Sequence, residues 1–175
     1  MPDSLLRDEF CAYAATKLQD ELRQIEKCLA LLTLEQIWSR PNDVSNSIGN
    51  LVLHLNGNVR QWIVSSIGGV TFDRDRAAEF SQREPIETSQ ALSPLQQSIA
   101  DACDVIGALT EARLLERVTV QGYDVSILAA VFHVVEHFSL HTGQIVYQTK
   151  ILTGLDLSLY DEHGQRLNGR TDSVP

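Results

Sequence analysis

A chain of 175 residues, 43% of them hydrophobic, suits a single domain around one core. Its 14 Lys and Arg against 23 Asp and Glu leave a formal net charge of −9, which argues against binding to a nucleic-acid backbone or an anionic membrane surface. The sequence holds neither a long apolar run nor a basic, then apolar, leader, so the expected residence is cytoplasmic.

Taken in chain order, the first predicted element is a helix over residues 4–32. Cys11, Ala14, Leu18, Leu22, Ile25, Leu29 and Leu32 recur at spacings of three and four, with Asp3 or Ser4 as cap. Cys11 falls on this apolar stripe and reads as a buried thiol. With Cys28 and Cys103 it forms neither a disulfide framework nor a paired-cysteine metal site.

A second helix is expected over residues 45–67, ended by Gly68 and Gly69. Ile48, Val52, Leu55, Val59 and Trp62 make its apolar stripe. Ser47, Asn50, His54, Asn58 and Gln61 make a second stripe that is polar yet uncharged, and residues 44–59 contain no charged side chain. A solvent-facing stripe of that length ordinarily carries charge, so this one reads as facing an internal site.

About twenty residues then separate this helix from the next. Extended, they could return the chain to its starting end and make the second and third helices parallel. Such a link is also a candidate wall or lid. The third helix is expected over residues 94–109, with Ser93 as cap and Pro94 in its first turn. Residues 117–120 show the alternation of a short strand. The fourth helix is expected over residues 125–152, capped by Asp124 and closed by Gly154, with a polar C-terminal tail beyond.

The fourth helix carries the chemistry. His133, His137 and His141 stand four residues apart and so share one face. Two imidazoles at that spacing can grip one ion. Between residues 125 and 148 the only formal charge is Glu136. Two nearly charge-free helices facing each other could therefore bring His54, His137 and His141 to one divalent metal, zinc, nickel, iron or manganese. The alternative is a hydrogen-bonded histidine core. His163, in a polar setting, reads as a surface residue.

Three imidazoles leave an open position, the mark of a catalytic rather than a structural ion. Such a site could activate water against an ester or amide, or take a thiol as the attacking group. Glu136 is the candidate general base, although it sits about 100° around the helix from His137. His133, Asn58 and Gln144 are candidate supporting or substrate-contacting groups. Arg74 and Arg76, in the long link, are candidates to hold a substrate carboxylate.

Three segments carry a family resemblance: Trp38-Ser-Arg-Pro-Asn-Asp-Val-Ser-Asn-Ser-Ile-Gly-Asn-Leu-Val-Leu-His54-Leu-Asn-Gly-Asn58, Arg74-Asp-Arg-Ala-Ala-Glu-Phe80 and Glu136-His137-Phe-Ser-Leu-His141-Thr-Gly-Gln144. Thr149-Lys150 and Asp156-Leu-Ser-Leu-Tyr160 also fit. The chain resembles the DinB/YfiT-like superfamily of metal-binding helical bundles, in a branch of unknown function. The resemblance implies one all-α domain over residues 1–175, a four-helix bundle connected up-down-down-up. It implies a divalent ion on His54, His137 and His141, with His133 as a recurrent non-ligand. It also implies a homodimer and a small-molecule substrate. The activity implied is that of a thiol-dependent transferase using a low-molecular-weight thiol, or of a hydrolase. The competing reading is a non-catalytic metal-binding or stress-response bundle.

Overall fold

The computed structural model describes residues 5–159, 161–163 and 165; the expected caps Asp3 and Ser4, Tyr160 and most of the polar tail lie outside them. The fold is mostly helical. Helix α1 spans Leu5–Ala30, α2 Leu34–Trp38, α3 Ile48–Val59, α4 Arg76–Ser81, α5 Thr88–Gly107, α6 Glu111–Leu115 and α7 Ile127–Thr153. Strands β1 (Arg117–Val120) and β2 (Tyr123–Ser126) pair as an antiparallel hairpin.

The four long helices surround the core. α1 packs on α5 and α7, and α3 packs on the same two. The apolar stripes read from the sequence supply the interior. Leu18 and Ile25 of α1, Ile48 and Leu55 of α3, Leu95 and Ile106 of α5, and Val134, Phe138 and Ile145 of α7 are fully or almost fully buried. Cys11 is buried as expected. No helix among the described residues is long and apolar enough to cross a membrane.

Helix α3 starts with a capping box. The Ser47 hydroxyl accepts from the Asn50 amide at 3.1 Å, and Asn50 Oδ1 accepts from the Ser47 amide at 3.3 Å. The α-helix ends at Val59 and the chain continues as a π-helical segment, Arg60–Ser65. The Ser66 and Gly68 amides donate five residues back, to Gln61 and Ile63. Trp62, Ile63 and Val64 of this segment are all buried.

Two expected helix starts are corrected. α5 begins at Thr88, six residues before Pro94, which lies inside the helix. Proline there removes a donor, but Ala91 and Leu95 are buried on either side of it and extend the stripe formed by Ile99, Ala102 and Ile106. α7 is capped by Ser126, whose hydroxyl accepts from the Ala129 amide at 3.1 Å. Asp124 instead sits in β2 and pairs across the hairpin with Arg117 at 2.9 Å. At the other end of α7, Gly154 takes φ 69° and donates to the Lys150 carbonyl, so the expected glycine stop is present.

The long link is not featureless. Asp75 caps the short α4 by accepting from the Ala78 amide at 2.9 Å, and α4 lies against α3. Asn50 Nδ2 donates to the Glu79 and Gln82 carbonyls, at 2.8 and 3.1 Å. Arg40 reaches the Phe80 and Gln82 carbonyls from the other side. The link is thereby fastened along the uncharged stripe of α3, and Ser47, Asn50, His54 and Asn58 are all buried.

Candidate metal centre

His54, His137 and His141 come together, with one ligating atom from each lying within 4.8 Å of the others. His54 projects from α3; the other two stand one turn apart on α7. Nε2 of His54 and Nε2 of His137 are 3.0 Å apart. Two nitrogens that each lie roughly 2 Å from one ion are separated by roughly 3 Å, so the spacing suits a shared ion. Ring centroids are 4.9 Å apart for His54 and His137, 5.2 Å for His54 and His141, and 4.4 Å for His137 and His141.

The groups behind the rings fix which nitrogen is offered. His54 Nδ1 is 2.9 Å from Glu79 Oε2. An ionised carboxylate only accepts, so Nδ1 carries the proton and Nε2 is left as the lone-pair donor to a metal. Arg74 completes the support: its Nε and Nη2 donate to the two Glu79 oxygens at 2.6 and 2.7 Å. The 3.2 Å approach of Arg74 Nη2 to His54 Nδ1 follows from both donors pointing at the same oxygen. His141 Nδ1 faces Gln144 Oε1 at 2.8 Å, which leaves its Nε2 free in the same way. The expected supporting role of Gln144 thus has a specific geometry.

Glu79 is the functional residue that the sequence did not announce. It is 8% exposed, a rare situation for a carboxylate. Burial opposes its ionisation, but hydrogen bonds from His54 and Arg74 and the Arg74 charge outweigh it, holding its carboxyl below the ordinary range. Gly57 makes room for the pair. A Cβ there would stand 2.0 Å from Glu79 Oε1 and 2.8 Å from Arg74 Nε. The one available signal was indirect: a buried, uncharged stripe with a small residue next to His54 leaves space for a charge arriving from elsewhere.

The remaining candidates divide. Arg74 spends its charge on Glu79 and also donates to Gln61 Oε1 at 2.9 Å, so its own chain supplies its carboxylate. Arg76 is exposed, with its guanidinium 4.9 Å from the Phe80 ring. His133 packs its ring on Trp62 at 4.3 Å and stands outside the three-histidine group. Glu136 is exposed on α7. His163 is exposed as expected.

A cavity of about 360 Å³ opens beside the histidines. His54, His137, Asn58, Arg74, Trp62, His133, Tyr123, Gln121 and Arg76 are among the residues that line it. The hairpin reaches this cavity through a tight turn in which Gln121 and Gly122 both take positive φ, 54° and 84°, the twist-matched geometry for a two-residue loop. Gln121 Nε2 then donates to Gln61 Oε1 at 2.6 Å, joining hairpin, π segment and link at one point. A larger hollow of about 560 Å³ between α1 and α7 is lined by no histidine.

Burial disfavours protonation of the α7 imidazoles. His137 is pushed down to about 3 by burial first, then by the neighbouring histidines and Arg74. His141 and His133 are lowered from 6.5, mainly by burial. Neutral imidazole is the form that binds metal, so the donor set fits a divalent ion.

These features define a mostly helical protein with a three-histidine group able to hold a metal ion. The chain belongs to the family described as Protein of unknown function (DUF1572), whose model matches residues 6–160. Solved structures agree on the fold. A conserved protein from Enterococcus faecalis is 14% identical, with TM-score 0.67 over 82% of this chain and 97% of its own. The DinB-like protein YjoA from Bacillus subtilis is 15% identical, with TM-score 0.62 over 90% and 99%. A DinB-like protein from Bacillus cereus is 16% identical, with TM-score 0.59 over 79% and 89%. No curated protein matches the chain in sequence.

Proposed function

We propose that the protein is a metal-dependent enzyme acting on a small molecule, with His54, His137 and His141 as the metal ligands. The observation that carries this reading is the pairing of three convergent imidazoles with a cavity that two of them, His54 and His137, line. A divalent ion held there supplies Lewis-acid chemistry, polarising a substrate oxygen or easing ionisation of a bound water or thiol.

The chain's own residues do the rest. Glu79 and Arg74 hold the His54 ring, and Gln144 holds the His141 ring, so little reorganisation is left for the reacting state. Trp62 and Tyr123 give the cavity an aromatic side. His133 faces the cavity and can take up a proton there; Glu136, on the exposed side of α7, is the weaker candidate for that role.

Among the described residues no carboxylate lines the cavity. This favours thiol-dependent transfer over hydrolysis, because a thiol ionises more readily than water and asks less of a protein base. The same observation supports the competing reading, a non-catalytic metal-binding bundle. The ring of contacts among α1, α3, α5 and α7, with the long link between α3 and α5, supports a four-helix bundle connected up-down-down-up. Exposed Phe132, Leu140, Tyr147 and Ile151 along α7 support a homodimer through that helix, which sedimentation of the protein would test.

The deciding experiment is elemental analysis of protein purified without an affinity tag, comparing wild type with His54→Ala and His141→Ala. One ion per chain, lost in both variants, is the expected result. Loaded protein is then assayed with low-molecular-weight thiols and electrophiles, and with simple esters. Turnover that disappears in the variants supports an enzyme. Stoichiometric metal with no exchangeable water supports the non-catalytic reading.

A further inference from the structure

The chemistry of the cavity's wall narrows what can enter. The chain carries 23 acidic residues, yet no Asp or Glu among the described residues lines this cavity, while two arginines do. Arg74 is already neutralised by Glu79. Arg76 is not: no carboxylate among the described residues forms an ion pair with it, and its guanidinium rests over the Phe80 ring. Phe80 lies between Arg76 and His54, 4.9 Å from the guanidinium carbon and 4.7 Å from the His54 ring. The cation and the ligand ring are thus separated by no more than those two lengths end to end.

The facing wall is aromatic. Trp62 stacks with Tyr123 at 6.5 Å and 29°, and His133 covers Trp62 at 4.3 Å. The Trp62 indole N–H is buried and has no acceptor among the described residues, although Trp62 is only 4% exposed and lines the cavity.

We infer that the cavity selects a short organic carboxylate with a flat, unsaturated body, its carboxylate held by Arg76 and its body against Trp62, His133 and Tyr123. This assignment rests on the reading of the same cavity as a substrate site. It places the carboxylate at exposed Arg76 and the far end of the molecule beside His54 and His137. The guanidinium provides a forked pair of donors suited to a carboxylate. Neutral analogues of the same shape keep the stacking and lose the charge-assisted bonds.

The test measures binding of phenylacetate, phenylacetamide and acetate by titration calorimetry, on metal-free and zinc-loaded protein. Phenylacetate is expected to bind at least about 10-fold more tightly than phenylacetamide in both forms, the scale of a charged hydrogen bond. Acetate, lacking the ring, is expected to bind more weakly than phenylacetate. Arg76→Gln should bring phenylacetate down to the level of the amide without changing metal content, and Arg76→Lys should keep part of the preference. Equal binding of acid and amide, or an undiminished preference in Arg76→Gln, overturns the inference. A preference seen only with zinc also overturns it, because the carboxylate would then be on the ion. If no metal binds at all, the comparison in metal-free protein still stands, so the two failures are distinguishable.

Discussion

His54 and His141 lie 5.2 Å apart, ring to ring, and are held by different chemistry. Behind His54 stands a buried carboxylate that is itself gripped by a buried arginine, three groups drawn from α3, the link and α4. Behind His141 stands an amide from the next turn of the same helix, at the solvent edge. The first support spans 25 residues of sequence and exists only once the link has docked. The second is local and forms whenever α7 does. Metal affinity should therefore be tied to docking of the link through His54, and far less to Gln144.

The largest effect should come from removing a ligand. His54→Ala or His137→Ala is expected to weaken metal binding by more than about 100-fold, beyond the range seen when only a supporting group is lost, as competition with a chromogenic chelator will show.

Next comes the carboxylate. Glu79→Gln should cost about 10- to 100-fold in metal affinity. It should also destabilise the fold by about 3–5 kcal/mol in chemical denaturation, because Arg74 is left buried without its partner. Gly57→Ala, which touches no ligand, should move affinity in the same direction by displacing Glu79, since its new methyl would overlap Oε1. Unchanged affinity in both variants would erase the contrast between the two supports.

Gln144→Ala should be milder, about 10-fold or less in affinity, with little change in stability because the amide is exposed.

The most general effect is on pH dependence. In metal-free protein the α7 histidines have lowered pKa values, so the unfolded chain takes up protons first as pH falls through 6.5. Stability should be level above that pH and should decline below it toward the folded value of about 3 for His137. Glu79, also lowered, adds to the loss once pH falls below 4.5. His137→Gln should flatten the decline between pH 6.5 and 4.5 in urea-denaturation midpoints.

Much of this was legible in the chain. Leucine, isoleucine and valine at spacings of three and four define the long helices, because burial of one face fixes the period. The same spacing places His137 and His141 on one face of α7, and the uncharged stripe marked His54 as inward-facing. Other features depend on partners that lie far away in sequence. Pro94 reads as a helix start by local rules, and only burial of Ala91 and Leu95 reveals that the helix began earlier. The π segment is a change of hydrogen-bond register that leaves no compositional trace in Arg60–Ser65. Short α4 has no apolar stripe of its own, so nothing local marks Glu79 as buried, and Arg74 reads as a group for a substrate carboxylate rather than as the partner of Glu79. Their role appears only when Asn50 and Arg40 pull the link onto α3.

X-ray absorption of zinc-loaded protein tests the central claim most directly. Three imidazole ligands at roughly 2.0–2.1 Å, with the remaining coordination from a light oxygen scatterer and one imidazole fewer in His54→Ala, is the predicted result. Binding that is substoichiometric, or a coordination shell unchanged by His54→Ala, would contradict it.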